Sequence, residues 1–220
     1  MPPAPTTAPT TLGTIILLNG PQSAGKSSLA RAIQDVFDEP YLFLGLDTFI
    51  MEICAPKMKR RPAEGGPPAC YSVVDLAGTD PPETMWRLEP YGLALLAGMH
   101  RAVAALAAAG YNVAVDHCLQ QPELLADCLA VWTPFRVLFV GVQCPLDILQ
   151  ARSYARPDRG ATVKNVFRWQ AHEVHRHGRY DLELDTSRCT PAEGALRVRQ
   201  RLHEGSPPTA FDELRARGQA

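Results

Sequence analysis

Five short apolar runs punctuate the chain, and amphipathic or polar segments lie between them. Thr14–Leu18 (TIILL) is apolar and rich in β-branched residues, the pattern of a strand buried on both faces. After a glycine-containing turn, Leu29, Ile33, Val36 and Phe37 recur at helical spacing until Pro40 ends the segment. Tyr41–Leu46 (YLFLGL) predicts a second buried strand, and Val113–Asp116 (VAVD), Arg136–Val142 (RVLFVGV) and the half-polar Asp181–Asp185 (DLELD) predict three more. Between them, helices are predicted from Glu89 to Ala109, stopped by Gly110, and over Pro122–Val131, with proline in its first turn. Pro145 opens another helix that reaches an arginine-rich segment, and Val163, Val166, Phe167 and Val174 give the next one an apolar stripe. Thr190-Pro191-Ala192-Glu193 has the form of a capping box, so a last helix follows.

Strands alternating with helices imply an α/β domain of three layers around a five-stranded, mostly parallel sheet. That domain is expected over 14–203. A disordered Pro/Thr/Ala extension over 1–13 would precede it, and a polar tail over 204–220 would follow. Residues 55–83, crowded with Pro and Gly, predict no regular element; such a stretch inside a compact domain is functional or disordered. Ligands of parallel sheets bind at the carboxyl ends of the strands, so chemistry is expected just after Leu18, Leu46, Val115 and Val142.

Composition narrows the class. The 220 residues suffice for one domain, with 46% apolar and 20% charged residues. A formal net charge of −1 argues against a nucleic-acid backbone or an acidic membrane surface as partner. The N-terminus has no basic and apolar regions of a signal peptide, and the apolar stretch near Leu93–Ala109 is interrupted by His100 and Arg101. Six cysteines without a C-x-x-C pair read as reduced thiols, and the setting as cytoplasmic. A homo-oligomer is compatible with this composition.

Gly20-Pro21-Gln22-Ser23-Ala24-Gly25-Lys26-Ser27 matches G-x-x-x-x-G-K-[ST] at every fixed position, between a buried strand and an amphipathic helix. The glycines let the backbone curl so that successive N–H groups face one anion, and the helix start adds its unpaired amides. In this pattern Lys26 reaches the β- and γ-phosphates of ATP, Ser27 ligates Mg²⁺, and Ser28 follows in the first helical turn. A dinucleotide loop would need G-x-G-x-x-G, which is absent. So are the N-K-x-D of GTPases and the LSGGQ-like signature of transporter ATPases, which leaves little besides a compact kinase in which a lid covers the donor.

Asp47, at the end of the second strand, is placed to take the proton of an acceptor hydroxyl; its other reading is the N-cap of a helix over Thr48–Ile53. Asp116, ending VAVD, could hold Mg²⁺ or be a loop aspartate. Arg152, Arg156 and Arg159 could form a lid, about 152–162, that neutralises the transferred phosphate, or a solvated basic helix end. His172, His175 and His177 are not spaced for one helical face, which argues against zinc.

Taken together, NGPQSAGKSSLARAIQ, LGLDTFI, AAAGYNVAVDHCL, VLFVGVQC, ARSYARPDRG and VHRHGRYDLELDTS resemble the chloramphenicol phosphotransferase family over nearly all of 14–203. The resemblance implies a five-stranded parallel sheet, ATP with Mg²⁺, and γ-phosphoryl transfer to a hydroxyl of chloramphenicol. It matches Asp47 to the base, Lys26 and Ser27 to the phosphate and metal positions, and Arg152, Arg156 and Arg159 to the lid. Two departures stand out. His117 follows Asp116 where the resembling kinase carries a second acid, and the acceptor region, about 48–88, is basic at Lys59, Arg60 and Arg61. A zeta-toxin-like nucleotide-sugar kinase, a shikimate-kinase-like enzyme and a non-catalytic ATP-binding regulatory module are the alternatives.

Overall fold

The computed structural model describes residues 11–54, 69–76, 78, 83–156, 165–204 and 206–218. Its first half runs β1 (Ile15–Asn19), α1 (Lys26–Val36), β2 (Tyr41–Gly45), a π-helical turn (Thr48–Ile53), β3 (Tyr71–Leu76), β4 (Glu83–Leu88) and α2 (Pro90–Ala108). The second half runs β5 (Asn112–His117), α3 (Pro122–Val131), β6 (Val137–Gln143), α4 (Leu146–Ala155), α5 (Val166–Glu173), β7 (Leu182–Asp185), α6 (Pro191–His203) and α7 (Ala210–Ala216).

The five predicted strands form one parallel sheet in the order β2-β5-β1-β6-β7. β1 is central, and all five of its residues are buried without exposure, as its unbroken apolar run requires. Each fully buried Ile or Leu there contributes about 1.5–3 kcal/mol of transfer free energy. One face of the sheet is covered by α2, α3 and α7, the other by α1 and α6. β1 connects through α1 to β2 on one side, whereas its neighbour β5 connects onward to β6 on the other, so the strand order reverses at the carboxyl ends of β1 and β5, and a crevice opens there.

Local chemistry accounts for the helix boundaries. The capping box at α6 is complete: Glu193 N–H donates to Thr190 Oγ1 at 3.3 Å, and Thr190 N–H donates to Glu193 Oε2 at 2.8 Å. Among the described residues α2 is the one helix long and apolar enough, by length and composition, to cross a membrane. Its Leu96, Met99, Val103 and Ala107 are nevertheless core residues with no exposure, and His100 is buried with them.

Three features depart from the sequence reading. Part of the 55–83 stretch belongs to an antiparallel hairpin, in which β3 pairs with β4 from Tyr71↔Leu88 to Leu76↔Glu83. Within it Thr84, Trp86 and Leu88 alternate inward, a period-2 pattern hidden by the surrounding Pro and Gly. The segment read as a polar tail contains α7, whose Ala210, Phe211 and Leu214 are buried. Phe211 stacks on Trp132 and meets Phe139 edge-on. Finally, Asp47 stands at the N-cap position of the turn that follows, but with helical backbone angles (φ −61°, ψ −35°) and no side-chain cap bond, so its carboxylate does not cap that turn. Residues 1–10 of the predicted extension, and Lys59–Arg61, lie outside the described residues.

Candidate active site

The turn between β1 and α1 is held from below and curled from within. Asn19, fully buried at the end of β1, donates through Nδ2 to Val174 O (2.7 Å) and Tyr180 Oη (2.8 Å), while its Oδ1 accepts from Leu119 N (2.8 Å). Gly20 sits where a Cβ would lie 2.4 Å from the Val142 carbonyl oxygen, so only glycine fits. Ser23 (φ 66°) and Gly25 (φ 91°) take left-handed conformations that turn the loop back on itself. No side chain caps α1 at Gly25, so its first amides remain for a ligand.

Lys26 is 8% exposed; its Nζ donates to Pro21 O at 2.9 Å and lies 3.6 Å from Asp116 Oδ1. Ser27 Oγ donates to Asp116 Oδ2 at 2.5 Å. Parallel pairing sets Asp116 beside Leu18 of β1 and Gly45 of β2, which brings it to the loop on one side and within electrostatic reach of Asp47 on the other. Burial pushes the Asp116 carboxyl above its ordinary range, the Asp47 charge adds to this, and Lys26 and Ser27 oppose it.

A cavity of about 830 Å³ joins these groups. Gln22, Ser23, Gly25, Lys26, Ser27 and Ser28 line it along the loop and first turn of α1. Asp47 and Asp116 line it from the strand ends, and Arg152 and Arg156 from α4 and its end. Gly20, Pro21 and Ala24 shape the loop behind this lining, and Arg159 lies outside the described residues. Arg152 is fixed by the fold: Nη1 donates to Thr186 Oγ1 (3.0 Å) and Nη2 to Thr186 O (2.9 Å). Thr186 Oγ1 in turn donates to Ala24 O of the loop (2.7 Å), which seats the guanidinium over Gly25.

Sequence reasoning missed two buried polar arrays. In the first, Gln170, Gln120 and Trp86 connect to the amide of Gln22. In the second, His117 Nδ1 accepts from Cys118 N–H (2.8 Å), so its proton is on Nε2, which donates to His100 Nε2 (2.9 Å). The proton of His100 is then on Nδ1, facing Asp127 Oδ2 at 2.6 Å. Cys128 Sγ completes a group of three metal-capable atoms. A ring whose Nδ1 accepts a backbone bond carries its proton on Nε2 and has no lone pair there for a cation, so this is a hydrogen-bonded pair of neutral imidazoles. His175 and His177 bond to Tyr180 Oη (2.6 and 3.0 Å) and brace Asn19 through it.

A parallel sheet with a phosphate-type loop at its switch point, and carboxylates on the neighbouring strand ends, defines a P-loop phosphotransferase. The chain belongs to the chloramphenicol phosphotransferase-like family, whose model matches residues 13–203. It is 32% identical over 209 residues to the "Putative O-phosphotransferase Rv2636" of Mycobacterium tuberculosis, a match covering 93% of this chain and 89% of that protein. The fold is similar to that of the M. tuberculosis APS kinase CysC in complex with AMPPNP and APS, with a TM-score of 0.61 and 17% identity. That match covers 88% of this chain and 99% of the other. Shikimate kinase from Acinetobacter baumannii is similar at TM-score 0.54 and 16% identity, covering 88% and 93%. The protein is thus a kinase of small molecules.

Proposed function

We propose that the enzyme moves the γ-phosphoryl group of ATP to a hydroxyl of a chloramphenicol-like antibiotic or a related small metabolite, with Asp47 as general base. The observation carrying this reading is that Asp47 opens into the same cavity as the phosphate loop, Lys26 and Ser27. The family membership supports the acceptor class, and the solved AMPPNP complex of the similar APS kinase supports ATP as donor.

In this reading the loop amides and Lys26 hold the donor's phosphates. The acceptor oxygen bonds to the γ-phosphorus as the bond to the β,γ-bridging oxygen breaks, ADP departs, and the hydroxyl proton passes to Asp47. The donor set of Ser27 hydroxyl and Asp116 carboxylate, already 2.5 Å apart beside Lys26, suits Mg²⁺. Bound there, Mg²⁺ would supply neutralising charge for the phosphates. Arg152 and Arg156 place cationic groups along the cavity wall, where charge spread over γ-oxygens would be stabilised.

The test is ATP consumption across a panel of hydroxylated antibiotics and metabolites, with the product's mass checked for one added phosphate. Asp47→Asn is expected to keep ATP affinity while turnover falls about 10²–10⁴-fold. Wild-type turnover in that variant would remove Asp47 as the base, and a panel without any phosphorylated product would remove the acceptor class.

A further inference from the structure

Two side-chain amides run in file from the phosphate loop to the hairpin. The backbone N–H of Gln22 donates to Gln170 Oε1 at 2.8 Å, Gln170 Nε2 donates to Gln120 Oε1 at 2.8 Å, and Gln120 Nε2 donates to the Trp86 carbonyl. Gln22, Gln120 and Gln170 are 7%, 6% and 3% exposed, so water does not substitute for these bonds.

The direction of the chain is fixed at both ends. A backbone N–H can only donate, so Gln170 must present its oxygen to Gln22 and its nitrogen to Gln120. A backbone carbonyl can only accept, so Gln120 must present its nitrogen to Trp86. Neither amide can turn over without setting two donors or two acceptors face to face.

The consequences fall on both halves of the cavity. One amide of the phosphate loop is committed to the protein, so the curvature of the loop at Gln22 follows Gln170. At the far end Trp86, a cavity-lining residue of β4, is tied through its carbonyl. α5, which carries Gln170, packs against β4 and is itself anchored to the end of β1 by the bond from Asn19 to Val174 O. We infer that Gln170 is a positioning residue, which sets the acceptor-side hairpin against the phosphate loop and transmits the loop's immobilisation by nucleotide to β4. This rests on the cavity being the phosphotransfer site.

Two measurements test it. In the first, backbone hydrogen exchange over 71–88 is followed with and without a non-hydrolysable ATP analogue and Mg²⁺, in the wild type and in Gln170→Leu. Binding of the analogue is checked by calorimetry. The analogue is expected to slow exchange in β4 of the wild type and to leave it unchanged in the variant. Equal slowing in both, or slowing in neither, overturns the inference. An analogue that calorimetry shows not to bind the wild type removes the phosphotransfer reading and this inference with it.

The second measurement separates misplacement from misfolding. With an acceptor that the wild type phosphorylates, Gln170→Glu is expected to lower kcat/KM for the acceptor about 10²-fold, the scale of an ångström of misalignment, with the KM for ATP little changed. The added acceptor at position 170 turns the amide of Gln120 and sets its oxygen against the Trp86 carbonyl. Combining it with Gln120→Lys, which supplies donors to both neighbours, is expected to recover at least part of that loss. Equal losses toward ATP and acceptor, or a double variant no better than Gln170→Glu, overturns the inference.

Discussion

Acid should loosen the support beneath the phosphate loop. Asn19 spends its two N–H bonds on Val174 O and Tyr180 Oη. The Tyr180 hydroxyl, 2.6 Å from His175 Nδ1, gives its proton there and accepts from His177 Nε2 at 3.0 Å, while His177 Nδ1 accepts from Arg179 N–H at 3.3 Å. Each ring uses one nitrogen as an acceptor, so both must be neutral. Burial lowers each from the ordinary 6.5 to about 4, and for His177 the neighbouring His175 adds to the effect. Between those values the unfolded chain binds more protons than the folded one. The stabilisation is therefore complete above the unfolded pKa and is lost as pH falls from 6.5 toward 4. At pH 5 the linkage relation gives about 2 kcal/mol per ring, and solvent reaching part of each ring reduces this to about 1. Urea unfolding at pH 7 and pH 5 should show the wild type losing about 2 kcal/mol more than His175→Gln/His177→Gln across that interval. The buried His100–His117 pair shifts in the same direction in both proteins and cancels in the comparison. Equal losses in the two proteins would refute this assignment.

Further outcomes follow from single residues. Lys26→Ala removes the cation 3.6 Å from Asp116 and is expected to weaken ATP affinity and turnover together; isothermal titration at unchanged affinity would contradict its placement on the phosphates. Phe211→Ala should cost about 3–5 kcal/mol in urea unfolding, because the ring is 4% exposed between Trp132 and Phe139; a cost below about 1 kcal/mol would mean that α7 is not part of the cooperative fold.

The parts legible in the sequence are those coded by neighbours along the chain. The eight residues Gly20–Ser27 specify a loop by themselves, and Asp47 and Asp116 stand at strand ends because short apolar runs stop there. The hairpin was harder to see. β4 alternates cleanly, but β3 carries Ser72 and Asp75 and exposes Val74, so only half the pair had a readable period. α7 is seven residues long and follows Pro207-Pro208, and its burial comes from packing on α3 and β6. His100 and His117 meet because α2 returns beside β5, which no spacing rule for metal ligands anticipates.

The same division explains why the reaction is easier to read than the substrate. Phosphoryl transfer needs a loop, a lysine, a hydroxyl and carboxylates, each set at the end of a β1, β2 or β5 strand whose register is fixed by the sheet. The proposed acceptor wall instead depends on where a two-stranded hairpin outside that sheet comes to rest. Its tie to the loop passes through residues 22, 170, 120 and 86, which share no local pattern. A change anywhere along that tie can move Trp86 without altering the phosphate loop's motif. Members of one family can therefore keep the donor chemistry and diverge in acceptor, and variation at positions 120 and 170 should track acceptor preference more closely than variation in the loop.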